Sequence, residues 1–250
     1  MFFNFVVEIS RYIFVATLKV CSVSLISIIL MTQARANPIP HWMQPCRGSL
    51  DSNRELPLQL LETILISDNE LARQLGIKAG NVEDKATSVR DQMADERIQS
   101  TDLQDFLDEN TTLPGFPDHR ALNIRTRFIE RLREDYRRVS VTAIFVEEML
   151  ADEEHSAYSP SYTSHFRHIE SKIYPLLCQL KMAILNKGAQ LPHISNDVMH
   201  TSLRNVDTHA LRHMRDYRIL KDIVRLFHSI QGDYGNIHAE DQVNVQVENR

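Results

Sequence analysis

The chain has 250 residues, of which 43% are hydrophobic and 24% are charged, and its formal net charge is −5 at pH 7. This composition excludes a wholly disordered chain and a membrane protein with several spans, and the acidic balance gives no basic footprint for a nucleic-acid partner. Only seven residues are glycine, and the glycine motifs of dinucleotide-binding and P-loop enzymes are absent. An all-helical chain is therefore favoured.

A targeting segment is predicted at the N-terminus. The apolar run Val20–Leu30 follows Lys19, and Ala34-Arg35-Ala36 supplies the small-x-small pattern that signal peptidase reads. We expect cleavage after the second alanine, so that residues 1–36 are a signal peptide and the mature chain is secreted, with no stable membrane insertion. A retained type II anchor is the alternative, although its wider apolar stretch would contain a lysine, which is costly in a bilayer core.

The first helix of the mature chain is predicted over 53–76, where apolar side chains recur on one face. Gly76 and Gly80 are expected to end it. The polar and acidic stretch 77–117 is expected to be a link between helices. Within this link, Asn110 begins an Asn-Thr-Thr sequon and is the predicted N-glycosylation site.

The second helix is predicted over 118–153, with Asp118 as its N-cap. Its apolar positions recur at spacings of three, four and seven, which is the clearest helical signal in the sequence. Leu132, Val139 and Val146 lie on one face at heptad spacing. We expect these three side chains to be buried in the core.

The third helix is predicted over 161–187 and contains Pro175, at which a bend is expected because proline removes one backbone donor. The fourth helix is predicted over 203–231 and is expected to stop at Gly232. Few apolar side chains follow, so residues 233–250 are expected to form a flexible C-terminal tail.

The lengths of the three links favour one topology. The second link is short, whereas the first has about forty residues and the third about fifteen, long enough for each to cross the molecule from end to end. Two long crossovers around one short link are typical of up-up-down-down bundles. The expected fold is thus an all-α, long-chain four-helix bundle over residues 37–232.

No residue pattern points to catalysis or to a metal. His209 and His213 are spaced i, i+4, and His165 and His168 are spaced i, i+3, but neither pair lies in a zinc-binding motif, and no C-x-x-C is present. A G-x-S-x-G nucleophile elbow is also absent. We therefore predict no enzyme activity, no metal and no cofactor.

Two cysteines, Cys46 and Cys178, remain after the predicted cleavage. The secretory pathway is oxidising, and two cysteines allow one connectivity within a chain. An intramolecular disulfide is the default interpretation. Two free thiols, or a bridge to another chain, are the alternatives.

Three short stretches are similar to a known family. A proline-rich mature start, Asn37-Pro38-Ile39-Pro40, leads to Pro45-Cys46 before the first helix. Leu176-Leu177-Cys178-Gln179-Leu180 lies late in the third helix, and 215–227 lies in the fourth. With these stretches the chain resembles the leukaemia inhibitory factor and oncostatin M branch of the interleukin-6-type helical cytokines. The resemblance implies a Cys46–Cys178 disulfide.

The sequence departs from this family at two places. The cysteines of the family's second bridge, from the first link to the fourth helix, are missing. The family's receptor-contact motif, a Phe and a Lys three residues apart at the start of the fourth helix, is also missing. Val206 and His209 stand at the same spacing and are the candidate substitutes.

The resemblance implies a secreted cytokine without an active site, which brings cell-surface type I cytokine receptors together. One would be the shared signalling receptor of the interleukin-6 family, contacting exposed faces of the first and third helices, and the other a second co-receptor. The positions suggested for the shared receptor are Gln59, Glu62, Glu70, Arg73, Arg167, Glu170 and Lys181. Those for the co-receptor are Leu113, Phe116, Tyr158, Val206 and His209.

A secreted helical carrier for a small apolar ligand is the alternative from another functional class. Such carriers enclose an apolar cavity and normally contain more disulfides for their size. Only two cysteines remain after the predicted cleavage, so the cytokine interpretation is preferred.

Overall fold

A computed structural model describes residues 41–46, 66–98, 112–123, 126–156 and 160–248, all within the compact unit His41–Arg250. The described residues are all-helical and contain no strand. Two short 3-10 helices span His41–Met43 and Asn196–Val198. The α-helices are α1 (Asp68–Arg97), α2 (Phe128–Glu154), α3 (Thr163–Asn186), α4 (Thr201–Arg204) and α5 (His209–Glu248). The expected signal peptide lies outside the described residues.

Helix α1 continues far beyond the predicted end of the first helix. It runs through Gly76 and Gly80 to Arg97, so the expectation that these glycines end the helix is wrong. A Cβ on Gly76 would lie 3.5 Å from Tyr234 Cβ, and one on Gly80 would lie 2.8 Å from Gln231 Nε2. The two glycines thus allow α1 to approach α5 closely, which accounts for their place inside a helix.

Helix α2 begins at Phe128, ten residues later than predicted, so the prediction that Asp118 caps it is wrong. The Oδ1 atom of Asp118 instead accepts a hydrogen bond of 3.0 Å from the backbone N–H of Arg120. A carboxylate that bonds a backbone N–H two residues on is typical of an Asx turn. The same residue type serves helix caps and turns, and here the turn is formed.

Residues 112–123, which we call the strap, are held against α5 by two buried carboxylates. The N–H of Leu113 donates to Asp222 Oδ2 at 2.9 Å, and the N–H of Leu122 donates to Asp233 Oδ2 at 3.0 Å. Both aspartates are buried, at 3% and 4% exposure. Hydrogen bonds to ionised acceptors are stronger than neutral ones, so charged side chains of α5 fix both ends of the strap.

Helix α3 agrees with its prediction to within two residues and contains Pro175, as expected. The predicted fourth helix is divided into α4 and α5. Helix α5 does not stop at Gly232, where the bundle was expected to end, but continues to Glu248. Asp233 and Tyr234 directly after that glycine are buried, so burial of one helical face prevails over the glycine stop signal.

The core lies between α1, α2, α3 and α5. Helix α1 packs along α5, α2 packs along α3, and α1 also contacts α3. Leu132, Val139 and Val146 are at most 1% exposed, which confirms the predicted apolar stripe. Among the described helices, none has the length and apolar character that crossing a membrane requires.

Candidate functional site

The N-terminal segment is joined to α3 by the cysteine pair. The Sγ atoms of Cys46 and Cys178 are 2.08 Å apart, and their Cα atoms are 5.1 Å apart. This is the disulfide pairing that the family resemblance implies. Trp42 is 5% exposed, and its backbone N–H donates to Glu147 Oε1 of α2 at 3.3 Å. The segment 41–46 therefore contacts both α2 and α3.

Glu170, one of the candidate receptor contacts on α3, is half-buried beside Tyr174. The Tyr174 hydroxyl donates a hydrogen bond to Glu147 Oε1 at 2.6 Å. Its oxygen also lies 3.2 Å from Glu170 Oε1. Burial, followed by these two carboxylates, raises the pKa of Tyr174 well above its usual 10.0. Glu170 thus contributes to the contact between α2 and α3 as well as to the surface.

Glu70 and Arg73, the candidate contacts on α1, form an ion pair with each other. Arg73 Nε and Nη2 donate to the two carboxylate oxygens of Glu70 at 2.7 and 2.6 Å, and the side chains are 46% and 37% exposed. Gln74 Nε2 also donates to Glu70 Oε1 at 2.9 Å, and Gln74 Oε1 accepts from Gln179 Nε2 of α3 at 2.6 Å. These contacts fix the pair at the junction of α1 and α3.

The remaining candidates on α3 lie far apart. Arg167 is 61% exposed and pairs with Glu154 of α2 at 2.6 Å. Lys181 is half-buried and lies about 21 Å from Arg167 along the helix axis, at 1.5 Å per residue. The α3 candidates therefore do not form one cluster.

Five residues were predicted to form a patch for the co-receptor. For two of them, Leu113 and Phe116, the expectation that they are available at the surface is wrong. They are only 4% and 7% exposed. The Phe116 ring stacks edge-on against Phe145 of α2, with centroids 5.1 Å apart. The strap covers the core with these side chains because apolar groups at its turn gain more from burial than from solvent contact.

Two members of that patch remain accessible. Val206 is half-buried in the connection between α4 and α5, and its carbonyl accepts from Arg212 Nε at 2.8 Å. His209 is exposed and is the first residue of α5. The other predicted positions, Gln59, Glu62, Asn110 and Tyr158, lie outside the described residues.

A buried ion pair, which the sequence interpretation missed, joins the last residue of α1 to the last turn of α2. Arg97 Nη2 lies 2.8 Å from Glu153 Oε1, with the side chains 0% and 5% exposed. The same guanidinium donates to the Pro160 carbonyl at 2.6 Å and lies over the Tyr162 ring at 4.2 Å. Glu153 Oε1 also accepts from the Tyr162 N–H at 2.6 Å.

Arg215 forms a second buried cluster at the start of α5. It pairs with Asp152 of α2 at 2.7 Å and with Asp216 at 2.6 Å, and it donates to the Leu203 carbonyl of α4 at 2.9 Å. Burial raises the pKa of Asp216 to about 6, although Arg215 opposes this shift. These contacts position the segment that carries Val206 and His209.

The sequence contains a signal for these clusters, but a weak one. Arg215 and Asp216 stand next to each other in a helix whose neighbours Met214 and Tyr217 belong to the apolar stripe. Charges beside such a stripe are usually solvent-facing, because burying a charge is costly unless it is paired. The partners on α2, Asp152 of Arg215 and Glu153 of Arg97, are distant in sequence and become visible only in the fold.

The buried histidine His213 is neutral at physiological pH. Its exposure is 7%, and burial, assisted by Arg97, lowers its pKa to about 4. No group of three or more His, Cys, Asp or Glu side chains suited to a metal ion occurs within the described ranges.

Arg97 and Arg215 thus pair with carboxylates in the interior, near the last turn of α2.

Searches of the chain against protein-family models, curated proteins and solved structures find no match in any of the three.

Proposed function

We propose that the chain is a secreted four-helix cytokine of up-up-down-down topology, related to the leukaemia inhibitory factor and oncostatin M branch, which brings two cell-surface receptors together. The observation that carries the proposal is the direction in which the helices pair, combined with the lengths of their links. No active site is needed for this function. Separate faces of one rigid bundle bind separate receptor chains.

Contacts between α1 and α3 support the topology. Asp68 Oδ1 near the start of α1 accepts from Lys187 Nζ, just after α3, at 2.6 Å. Glu96 Oε2 near the end of α1 accepts from the hydroxyl of Tyr162, just before α3, at 2.7 Å. The start of each helix meets the end of the other, as in an antiparallel pair.

Contacts between α2 and α5 also join the early part of one helix to the late part of the other. Arg131 near the start of α2 pairs with Asp233 late in α5 at 3.2 Å, and Asp152 near the end of α2 pairs with Arg215 early in α5 at 2.7 Å. On α1, Gly76 approaches Tyr234 of α5, and Gly80, one turn later, approaches Gln231, which comes earlier in α5. These contacts are those of antiparallel pairs.

The lengths of the links between the helices agree with the up-up-down-down topology. Two parallel helices in succession require a connection that returns along the bundle, and α1 alone is about 45 Å long at 1.5 Å per residue. Residues 98–127 between α1 and α2, and 187–208 between α3 and α5, are long enough to return, whereas 155–162 between α2 and α3 is short.

The candidate receptor contacts that remain are those whose side chains are at least partly exposed to solvent. The face for the shared signalling receptor would use Glu70 and Arg73 on α1 with Arg167 on α3, all of which retain exposed side-chain area. The co-receptor would use Val206 and His209 at the start of α5. Interfaces usually depend on a few such anchors, with arginine among the favoured types.

The test is a binding and proximity assay. The purified, disulfide-bonded chain is added to cells that display labelled type I cytokine receptors singly and in pairs, and binding and energy transfer between receptors are measured. We expect saturable binding to at least one receptor and chain-dependent energy transfer in one pair. Absence of binding to every receptor would refute the proposal.

Three variants then locate the surface. Arg73→Glu and Arg167→Glu reverse exposed charges on α1 and α3, and Arg133→Glu reverses an exposed charge on α2 as the matched control. We expect at least one of the first two to weaken binding about tenfold or more, equivalent to about 1.4 kcal/mol, with an unchanged melting temperature. Equal binding by all three variants would rule out the α1–α3 face.

A further inference from the structure

The Cys46–Cys178 disulfide lies at the outer surface of α3 rather than in the core. Both cysteines are half-buried and retain solvent-exposed area, whereas Leu177 and Gln179 on either side of Cys178 are buried. Thiols attack an accessible disulfide more readily than one enclosed in a core, and accessible disulfides are the more easily reduced class. The bond is therefore open to thiol–disulfide exchange while the chain is folded.

The bond lies on the side of α3 that carries the candidate receptor contacts. Arg167, Glu170, Cys178 and Lys181 follow one another at spacings of three, eight and three residues. At 3.6 residues per turn, these spacings keep all four positions on one side of the helix. A change at the disulfide thus occurs on the same face as these contacts, between Glu170 and Lys181.

A chain of polar contacts connects the disulfide-bonded segment 41–46 to that face. The backbone N–H of Trp42 donates to Glu147 Oε1 at 3.3 Å, and the same oxygen accepts from the Tyr174 hydroxyl at 2.6 Å. That hydroxyl lies 3.2 Å from Glu170 Oε1. One carboxylate oxygen therefore couples the docking of the segment to Tyr174 and, through it, to Glu170.

We propose that the Cys46–Cys178 bond is a thiol-exchange switch for the docking of residues 41–46. The reagent is an extracellular protein that carries a pair of reactive thiols. When the bond is intact, the segment is held on α3 and Glu170 is fixed by its contact with Tyr174. When the bond is reduced, the segment opens more often and Glu170 gains freedom.

The exchange is a two-electron reduction. A thiolate of the dithiol reagent attacks one cysteine sulfur, the bond between the two Sγ atoms breaks, and the other cysteine leaves as a thiolate that takes up a proton. The second thiol of the reagent, as its thiolate, then displaces the first cysteine from the mixed disulfide, and that cysteine is protonated as well. The chain gains two thiols while the reagent becomes a disulfide, so atoms and electrons balance.

Reduction weakens docking because non-covalent contacts must then hold the segment against the entropy of a longer free chain. Each time Trp42 leaves, Glu147 loses one hydrogen-bond donor and is reached by water, so its bond to the Tyr174 hydroxyl weakens. The tyrosine then no longer holds Glu170 in one position. The switch itself requires no receptor, and only its effect on receptor binding rests on the proposed function.

The test treats the oxidised full chain with reduced thioredoxin as the dithiol, in buffer without denaturant. Alkylation and mass spectrometry count the free thiols, and nuclear magnetic resonance follows hydrogen exchange of the Trp42 N–H and the carboxyl signal of Glu170. We expect reduction of the bond with unchanged helical circular dichroism, about tenfold or faster exchange at Trp42, and a shifted Glu170 signal. A bond that resists thioredoxin until urea unfolds the helices would overturn the proposal, as would unchanged exchange at Trp42 after reduction.

Two variants assign the signals. The double variant Cys46→Ala with Cys178→Ala should exchange quickly at Trp42 before any reagent is added and should not respond to thioredoxin, which controls for Cys21, the third cysteine of the chain. Tyr174→Phe removes the hydroxyl that joins Glu147 to Glu170. After reduction of this variant, exchange at Trp42 should still accelerate while the Glu170 signal stays in place. An equal Glu170 shift with and without the hydroxyl would overturn the assigned path.

Discussion

Burial controls the protonation of single carboxylates in this protein. Asp135 is 0% exposed, and burial raises its pKa from 3.8 to about 7, with Arg138 opposing the shift. The folded chain therefore binds a proton at this position more tightly than the unfolded chain. This tighter proton binding by Asp135 increases the free energy of unfolding by its full amount below about pH 4. The increase is lost as the pH rises to about 7.

Asp135→Asn is expected to change the slope of stability against pH. Because asparagine does not titrate, the free energy of unfolding of the variant, relative to wild type, should rise by up to about 1.4 kcal/mol per pH unit between pH 4 and 7. Urea unfolding at several pH values measures this difference. His213, with its pKa lowered to about 4, acts in the opposite direction, but it is common to both proteins and cancels.

The matched control for this measurement is Asp91→Asn. The Asp91 side chain is 60% exposed and pairs with Arg90 on the surface. Its surroundings differ little between the folded and unfolded chain, so we expect a nearly constant offset from wild type. Stability curves of Asp135→Asn and wild type that run parallel across this pH range would contradict the role assigned to Asp135.

Phe116→Ala is expected to destabilise the fold. The ring is buried and packs edge-on against Phe145, so truncation should lower the free energy of unfolding by about 3–5 kcal/mol. Chemical denaturation measures the change. Arg120→Ala in the same strap is the control, since its side chain is 87% exposed and the change should be less than about 0.5 kcal/mol. A loss of similar size in both variants would exclude the core role of Phe116.

At the scale of elements, the apolar pattern predicted where helices lie better than where they begin and end. The stripe Leu132, Val139, Val146 and the range of α3 follow from periodicity alone. The boundaries at Gly76, Gly80 and Gly232 were wrong because a glycine's stop signal is local, whereas its tolerance inside a helix depends on a neighbouring helix or on burial of the residues beside it. The buried ion pairs of Arg97 with Glu153 and of Arg215 with Asp152 were missed for a similar reason, since each joins residues that are distant in sequence.

Replacing glycine by alanine is predicted to change the free energy of unfolding in opposite directions at two positions. Gly232 lies inside α5, and a Cβ there would meet no atom within 4 Å. Gly232→Ala should therefore stabilise the protein by about 0.5–1 kcal/mol through helix propensity. Gly115 has φ +83° and a built Cβ would lie 1.9 Å from the Val198 carbonyl oxygen. Gly115→Ala should cost at least about 2 kcal/mol.

Thermal unfolding of both glycine variants, with circular dichroism as the signal, measures these changes. The two substitutions add the same single methyl group, so they control for each other. A higher melting temperature for Gly115→Ala would show that the strap turn is not constrained as described. A lower one for Gly232→Ala would show that α5 does not continue as a helix through that residue.

At the scale of the whole molecule, the Cys46–Cys178 disulfide joins residues 41–46 to α3. The Cys46–Cys178 bond closes a loop with a sequence separation of 132. Cross-linking so long a loop restricts the unfolded chain, and the chain-entropy model gives about 4–5 kcal/mol of stabilisation. Charged pairs such as Lys187 with Asp68 lie at the surface, with side chains 31% and 57% exposed, and contribute much less.

The double variant Cys46→Ala with Cys178→Ala is therefore expected to unfold at a clearly lower urea concentration than the oxidised wild type. Trp42, the single tryptophan, is 5% exposed in the segment that the bond holds. Its fluorescence should shift to longer wavelength at a lower urea concentration than the loss of helical circular dichroism, because the segment loses its covalent link to α3 while the helix contacts remain. Reduced wild type should behave like the double variant. Equal midpoints for the oxidised and reduced protein, with both signals changing together, would mean that packing alone holds residues 41–46 in place.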